Sequence, residues 1–284
     1  MLRLVTPFPD RRLVATVASL ALLASAAVAV AGVEPKAPVS FSGIELVSEF
    51  AAPGLESEIA GIYAHPTEPD LYFVAANLHP VYREGQAPML PERYRGQLLT
   101  VRRDGEIVRA FDLVRGDYGG IAFGKGHLFV SSLDPAEVLK VDAESGEVVA
   151  RFPIAGPAGG LEFDAEKNAL YAQIFTGHPH LAVIDADSGE TVGTMWSDES
   201  AMGLALVGGD LLCTWANSFE NEAFSELRLL DRSTGEVEAR IALDRVHTSL
   251  APLPSGFLSL VASGEAPGRV VVRQYAYDRS VVRW

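Results

Sequence analysis

Leu139-Lys-Val-Asp-Ala-Glu-Ser-Gly-Glu-Val-Val149 returns 43 residues later as Ala182-Val-Ile-Asp-Ala-Asp-Ser-Gly-Glu-Thr-Val192. Each copy consists of an apolar strand that ends in Asp, a turn that contains Gly, and the start of a second strand. In such turns the Asp side chain bonds the backbone of its own turn, and Gly adopts a positive φ without steric cost. A third copy runs from Leu227 to Val237. The phrase therefore predicts a series of antiparallel strand pairs.

This phrase is the second half of a longer repeat. Each repeat opens with Gly followed by an apolar residue, except that the last one opens with Ser249, and the openings are 59, 40, 43 and 46 residues apart (61 to 120, 160, 203 and 249). A period of about 40–45 residues with four short strands is typical of a β-propeller blade. The first spacing is longer because residues 81–96 are inserted after the second strand of that repeat. We therefore predict an all-β fold, a single β-propeller of about five four-stranded blades.

The two ends of the chain are expected to close this ring together. The stretch 43–50 has the alternation of a strand but precedes the first blade, and the last repeat has only 35 residues after Ser249. A propeller whose ring stayed open would expose two sheet edges. We expect the N-terminal strand to pair with the last blade, in a propeller domain that covers residues 43–284.

The first 31 residues have the features of a signal peptide. Arg3, Arg11 and Arg12 precede an apolar run that ends in Ala29-Val-Ala31, the small residues that signal peptidase prefers. We predict a signal peptide over residues 1–31, a linker over 32–42, and export to the periplasm or the medium, with no stable membrane embedding once the leader is cleaved. The alternative is an N-terminal membrane anchor, because 19 apolar residues can just span a bilayer.

Composition restricts the partners and the redox chemistry. The net charge of −14 argues against nucleic acid as a partner, because binding to phosphates requires a basic surface. The only cysteine, Cys213, excludes an intramolecular disulfide and lies in an apolar run. We expect it to be a buried and unreactive thiol.

Propeller topology sorts the polar residues onto two faces. The loops between blades and those from second to third strands form one face, here called the channel-mouth face, and the remaining loops form the opposite face, here called the turn face. Four of the six histidines fall on the channel-mouth face. Imidazole with carboxylate suits Zn, Cu, Ni or Fe, so we hypothesise a divalent transition-metal site there. Its candidate ligands are His79, His178, His180, His247 and Glu58. The alternative is that the histidines only support turns, as polar residues before proline commonly do.

The same face carries candidate ligand-binding residues. The insertion 81–96 contributes a cluster of arginines, which recognise carboxylate or phosphate groups with paired hydrogen bonds. The alternative is that these arginines pair with the glutamates of their own loop. The candidate ligand-binding set is Arg83, Arg93, Tyr94, Arg95, Asp117, Tyr118 and Glu199.

The quoted phrases resemble the repeats of YVTN/YncE-type exported β-propellers, which implies the propeller fold and an extracytoplasmic location. Plant-type glutaminyl cyclases and gluconolactonase-like proteins are similar propellers that are enzymes. The chain lacks the Phe-Thr-Gln-Gly-Leu opening of the former and the Glu-Gly-Pro start of the latter.

We predict an extracytoplasmic propeller that binds a small ligand or a partner protein on its channel-mouth face. The alternative is a metal-assisted hydrolase or lyase that uses the same face, with Glu58 or Asp117 as general base.

Overall fold

The computed structural model describes residues 44–51, 58–78, 95–113, 117–176, 178–196, 201–217, 224–262 and 270–278. Within these ranges the chain forms twenty β-strands. Blade one contains β2 (Glu58–Ala64), β3 (Leu71–Leu78), β4 (Arg95–Arg102) and β5 (Ile107–Leu113). Blade two contains β6 (Tyr118–Gly124), β7 (His127–Ser132), β8 (Glu137–Asp142) and β9 (Val148–Pro153). Blade three contains β10 (Ala158–Asp164), β11 (Ala169–Ile174), β12 (His180–Asp185) and β13 (Thr191–Trp196). Blade four contains β14 (Ala201–Val207), β15 (Asp210–Asn217), β16 (Phe224–Leu230) and β17 (Val237–Leu243). Blade five contains β18 (His247–Leu253), β19 (Gly256–Ala262), β20 (Val270–Tyr277) and β1 (Ile44–Ala51).

The blades are arranged as a closed five-membered ring. Each is a four-stranded antiparallel sheet. The first strands of the blades lie innermost and touch one another in the order β2, β6, β10, β14, β18 and back to β2. The predicted five-bladed propeller is therefore confirmed. No helix in the described part of the chain is long and apolar enough to cross a membrane.

The N-terminal strand closes the ring, as predicted. Strand β1 pairs antiparallel with β20 from Ile44 opposite Tyr277 to Ala51 opposite Val271. The last blade thus takes its outermost strand from the beginning of the chain. Because the two ends of the chain share one sheet, neither end strand can leave without exposing the edge of its partner.

The glycine that opens each repeat lets neighbouring blades approach closely. A Cβ on Gly120 would lie 2.5 Å from the Gly159 carbonyl oxygen, and a Cβ on Gly203 would lie 2.5 Å from the Leu250 backbone nitrogen. In the fifth repeat Ser249 replaces the glycine, and its Oγ accepts a hydrogen bond of 3.4 Å from the Ile62 N–H. The inner strands therefore pack backbone against backbone around a narrow centre.

The repeated phrase forms the turns that its residues predict. Asp142 Oδ1 accepts hydrogen bonds from the backbone N–H groups of Glu144 (3.1 Å) and Ser145 (2.8 Å), and Gly146 has a φ of +74°. The turns at Asp185 and Asp231 repeat the arrangement. The Ser233 hydroxyl and the backbone N–H groups of Ser233 and Thr234 lower the pKa of Asp231 to about 2.

The thiol of Cys213 is buried between blades three and four. Burial raises its pKa to about 12. The expected burial of Cys213 is confirmed. Its lack of reactivity stays a prediction, which the raised pKa supports because the nucleophilic form of a thiol is the thiolate.

Candidate functional site

Several candidates for the channel-mouth site lie outside the described residues. They are His79, Arg83, Arg93, Tyr94, Glu199 and the side chain of Glu58. Their proposed roles remain predictions. The insertion expected to end at residue 96 ends earlier, because strand β4 begins at Arg95, which is exposed at the channel-mouth end of blade one.

His178 and His180 lie in the loop that leads into β12 and at its first position. His178 is exposed and His180 is half-buried. The Nδ1 of His180 lies 3.0 Å from the His178 carbonyl oxygen, so Nδ1 carries the proton and donates it to that carbonyl. Nε2 of His180 is therefore the nitrogen that can bind a metal ion. The described residues contain no group of three His, Cys, Asp or Glu side chains placed to hold a metal ion.

His247 lies in the interior rather than at the surface that the sequence led us to expect. Its side chain is 0% exposed, because β18 begins at this residue between blades four and five. Nδ1 lies 2.7 Å from Ser259 Oγ, whose own proton goes to the Ser249 carbonyl at 2.9 Å. Burial lowers the pKa of His247, against the neighbouring Asp244 carboxylate, which raises it.

His247 and Ser259 do not form a hydrolytic pair with Asp244. Asp244 Oδ1 lies 4.0 Å from His247 Nε2, so the three residues follow one another in the order of a catalytic triad. However, the Ser259 hydroxyl is buried and its hydrogen bonds are made within blade five. Asp244 is instead held by Arg273 Nη1, at 2.8 and 2.9 Å to its two oxygens.

Arg273 joins the last blade to the closing strand. Its Nε donates to Glu49 Oε2 on β1 at 2.6 Å while Nη1 holds Asp244. The Arg273 side chain is only 7% exposed. This group of charges stabilises the ring closure and the junction between blades four and five.

Asp117 and Tyr118 also serve the junction between blades. The Asn77 amide donates to Asp117 Oδ1 at 3.1 Å and to the Tyr118 carbonyl at 2.9 Å, and accepts from the Tyr118 N–H at 2.9 Å. The Tyr118 ring is in the core, 1% exposed, and would overlap any Cβ at Gly96. Burial raises the pKa of Tyr118 to about 12. Tyr118 is therefore placed in the core rather than on the expected binding face, because the bulged start of β6 turns it inward.

The turn face uses its charged groups to join blades. Lys125 Nζ in blade two lies 2.9 Å from Asp187 Oδ2 in blade three. Arg232 in blade four bonds Asp164 in blade three. Arg109 in blade one donates to the Glu144 carbonyl in blade two at 3.0 Å. Most of the described polar groups on this face thus already have structural partners.

The centre of the ring contains a tyrosine–carboxyl pair that the sequence reasoning did not identify. Tyr63 Oη on β2 donates to Glu162 Oε1 on β10 at 3.3 Å. These strands belong to blades one and three, which are not neighbours in the ring, so the bond crosses its centre. Tyr63 packs against three separate clusters of the core.

Glu162 is sealed from solvent and carries its proton at neutral pH. It is 1% exposed. Burial raises its pKa to about 8. Hydrogen bonds to the carboxyl lower the pKa in part, and one of them runs from the Phe163 N–H to Oε1 at 2.9 Å. Burial and the neighbouring Glu162 raise the pKa of Tyr63 well above its usual value. A carboxyl with a pKa near the working pH is a frequent feature of functional sites.

A signal for this pair is present in the repeats. The residues two positions after the opening of each repeat occupy equivalent places in the five inner strands, and each pairs with the second strand of its own blade. They are Tyr63, Ala122, Glu162, Ala205 and Ala251. Three alanines leave room for the two large side chains. Aligning the repeats at this position marks Tyr63 and Glu162 as the exceptions.

The fold is similar to that of solved structures with little sequence identity. The glutaminyl cyclase of Myxococcus xanthus matches with a TM-score of 0.57 and 13% identity, over 83% of this chain and 97% of the cyclase. The hydrazine synthase of Kuenenia stuttgartiensis matches with a TM-score of 0.48 and 12% identity, over 73% of this chain and 58% of that chain. At such identities the likeness concerns the fold alone. The five-bladed structure and its likeness to the cyclase confirm the propeller fold that the YVTN/YncE-type resemblance implied. No protein-family model and no curated protein sequence matches the chain, and the YVTN/YncE-type family itself is therefore not shown.

Proposed function

We propose that this protein is an exported binding propeller that captures a small ligand, or an anionic group of a partner protein, on its channel-mouth face. The observation that carries the proposal is the exposure of Arg95 at the channel-mouth end of blade one. On the turn face, acidic side chains cap their own turns and basic ones join neighbouring blades. On the channel-mouth face, Asp117 and Asp244 also join blades, whereas Arg95 is exposed at the start of β4, at the end of the arginine-rich segment 81–96.

An anionic ligand group fits the charge of that face. Arg95 is the described end of the arginine cluster to which Arg83 and Arg93 also belong. In a protein with a net charge of −14, a local arginine cluster is an attractive site for carboxylate or phosphate, which guanidinium groups bind with paired hydrogen bonds. We also propose that the protein is exported and that it belongs to the YVTN/YncE-type group.

The alternative is a metal-assisted hydrolase or lyase on the same face. His178 and His180 favour it, since the Nδ1 bond of His180 leaves Nε2 as its metal-binding atom. Elemental analysis of the chain 32–284 and titration with Zn²⁺ test this alternative. Loss of Zn²⁺ binding in His178→Ala and His180→Ala, but not in His127→Ala on the turn face, would support it. A metal-free protein indifferent to Zn²⁺ would refute it.

The binding proposal is tested with citrate and inorganic phosphate as probes. We expect one of them to raise the melting temperature of the chain 32–284, as a ligand at 100 times its Kd adds about 2.7 kcal/mol to folding stability. Arg95→Ala should reduce the shift. Arg102→Ala is the matched control, because Arg102 ends the same strand at the opposite face. Shifts lost in Arg102→Ala but kept in Arg95→Ala, or no shift with either anion, would contradict the proposal.

A further inference from the structure

Two fully buried side chains of blade three have polar atoms without a partner. Glu162 is 1% exposed and Gln173 is 0% exposed. Both Oε1 and Nε2 of Gln173, and Oε2 of Glu162, form no hydrogen bond among the described residues, although the Leu206 N–H lies close enough to the Glu162 carboxyl to lower its pKa. Buried polar atoms in folded proteins are nearly always hydrogen-bonded, to protein or to ordered water. These three atoms therefore call for a partner that the described residues do not supply.

The register of blade three puts the two side chains on the same face of the sheet. Glu162 lies directly opposite Tyr171, and Gln173 is two residues further along β11. Alternate residues of a strand project to one face, so Glu162 and Gln173 share a face of the sheet. Such diagonal neighbours lie about 7–8 Å apart at their backbones, within reach of long side chains. Tyr63 approaches the same carboxyl from across the ring.

The equivalent positions of other blades show what is unusual about Gln173. In blade two, Ser131 Oγ accepts from the Gly120 N–H at 2.7 Å and donates to the Gly159 carbonyl at 2.9 Å. In blade four, Thr214 Oγ1 accepts from the Gly203 N–H at 2.9 Å. These short hydroxyls are satisfied by the inner strands. Gln173 has a longer side chain than these hydroxyl residues, and its amide atoms make no such bond among the described residues.

We propose that Glu162, Gln173 and Tyr63 form a binding site inside the ring for a small neutral molecule that both donates and accepts hydrogen bonds, with water as its occupant. A water bridging the two side chains accepts from Gln173 Nε2 or from the protonated Glu162, and donates to Gln173 Oε1. A buried water typically makes about three such bonds. The site lies apart from the channel-mouth loops and does not depend on their role in binding.

The three atoms favour water over a metal cation. A cation is bound by oxygen atoms and would leave Gln173 Nε2, a donor, without a partner. Of the three proposed side chains only Glu162 is a carboxyl, and burial raises its pKa to about 8. Water satisfies donors and acceptors alike and requires no counter-charge.

Replacing Gln173 by Met, which has a similar length and no hydrogen-bonding amide, distinguishes a hydrated site from a dry one by the sign of its effect. In a dry site the substitution removes two unsatisfied atoms and raises the melting temperature or leaves it unchanged. In the proposed site it removes bonds to water, and we expect a fall of about 2–6 °C. Thr214→Val is the matched control, because it removes a hydrogen bond from the equivalent position of blade four and should lower the melting temperature similarly. An unchanged or higher melting temperature for Gln173→Met would overturn the proposal.

A crystal structure of the chain 32–284 at about pH 6.5 provides the second test. We expect a water peak about 2.7–3.2 Å from Glu162 Oε2 and from the Gln173 amide, which disappears in the Gln173→Met crystal. An empty site would overturn the proposal. A peak with ligands at metal distances, about 2.0–2.6 Å, that is lost with chelator would also overturn it and identify a cation instead.

Discussion

The raised pKa of Glu162 makes the stability of the ring depend on pH in a direction opposite to that of most carboxyls. The usual pKa of the group is 4.5 and the folded chain raises it to about 8. Between these values the folded state keeps the proton and the unfolded chain releases it, so the unfolding free energy falls as pH rises from about 4.5 to 8. At 1.36 kcal/mol per pH unit, with the transition levelling near 8, the loss between pH 6 and 8 is about 2 kcal/mol.

The substitution Glu162→Gln should remove this dependence, because the amide keeps the shape and has no proton to release. Urea unfolding of parent and variant at pH 6, 7, 8 and 9 gives the difference in unfolding free energy at each pH. The buried His247 causes the opposite pH trend in both proteins, so its effect cancels in this difference. Tyr63→Phe is the control: it keeps the carboxyl and removes a bond that lowers its pKa, so the loss of stability should persist and continue to a higher pH than in the parent. If Glu162→Gln loses stability between pH 6 and 8 as steeply as the parent, the reasoning about Glu162 is refuted.

Three further perturbations test how the ring is built. Gly203→Ala should lower the unfolding free energy by about 1–3 kcal/mol in urea melts, because the new Cβ would lie 2.5 Å from the Leu250 nitrogen. Gly193→Ala is the control and should be neutral, because the nearest atom to its new Cβ is at 3.6 Å. Equal effects of the two substitutions would contradict the close-packing argument. A chain that begins at residue 52 lacks β1 and should melt more than about 10 °C lower than the parent. It should also associate through the exposed edge of β20, which size-exclusion chromatography would detect. A chain that begins at residue 43 should match the parent, and equal melting temperatures for the two shortened chains would refute the ring closure. Asp244→Asn should lower the melting temperature at pH 7, because Arg273 loses a charged partner that holds it in the interior. His247 and Arg273 hold the pKa of Asp244 well below its usual range, so the difference should shrink only when the pH falls far enough to protonate Asp244 in the folded chain. A difference that stays constant down to acid pH would count against the ion pair.

The fold could be predicted from the sequence because the repeats state it several times. The phrase around Asp142 and its copy around Asp185 each predict a hairpin, because Asp bonds the backbone of its own turn and Gly supplies the positive φ. The spacing of the repeat openings predicts the number of blades. Even the closing strand followed from counting, since the last repeat lacked an outer strand and the stretch before the first repeat had no blade.

The interior of the site could not be predicted in the same way. The positions of His247 and Tyr118 were assigned to the channel-mouth face from loop topology, which does not show that a bulge at the start of an inner strand turns such residues inward. Glu162 and Tyr63 come from blades that are not adjacent, so nothing in local periodicity links them. Their pairing depends on the width of the centre, which the alanines at equivalent positions determine.

Hydrogen–deuterium exchange of the chain 32–284, with and without saturating citrate or phosphate, tests most directly whether the channel-mouth face is the binding face. We expect ligand-dependent protection in the segments that join second to third strands, at residues 78–95, 133–136 and 175–180, with the turns at 103–106, 143–147, 186–190 and 231–236 unchanged. Protection confined to those turns would contradict the account and place binding on the face that the structure uses to hold its blades together.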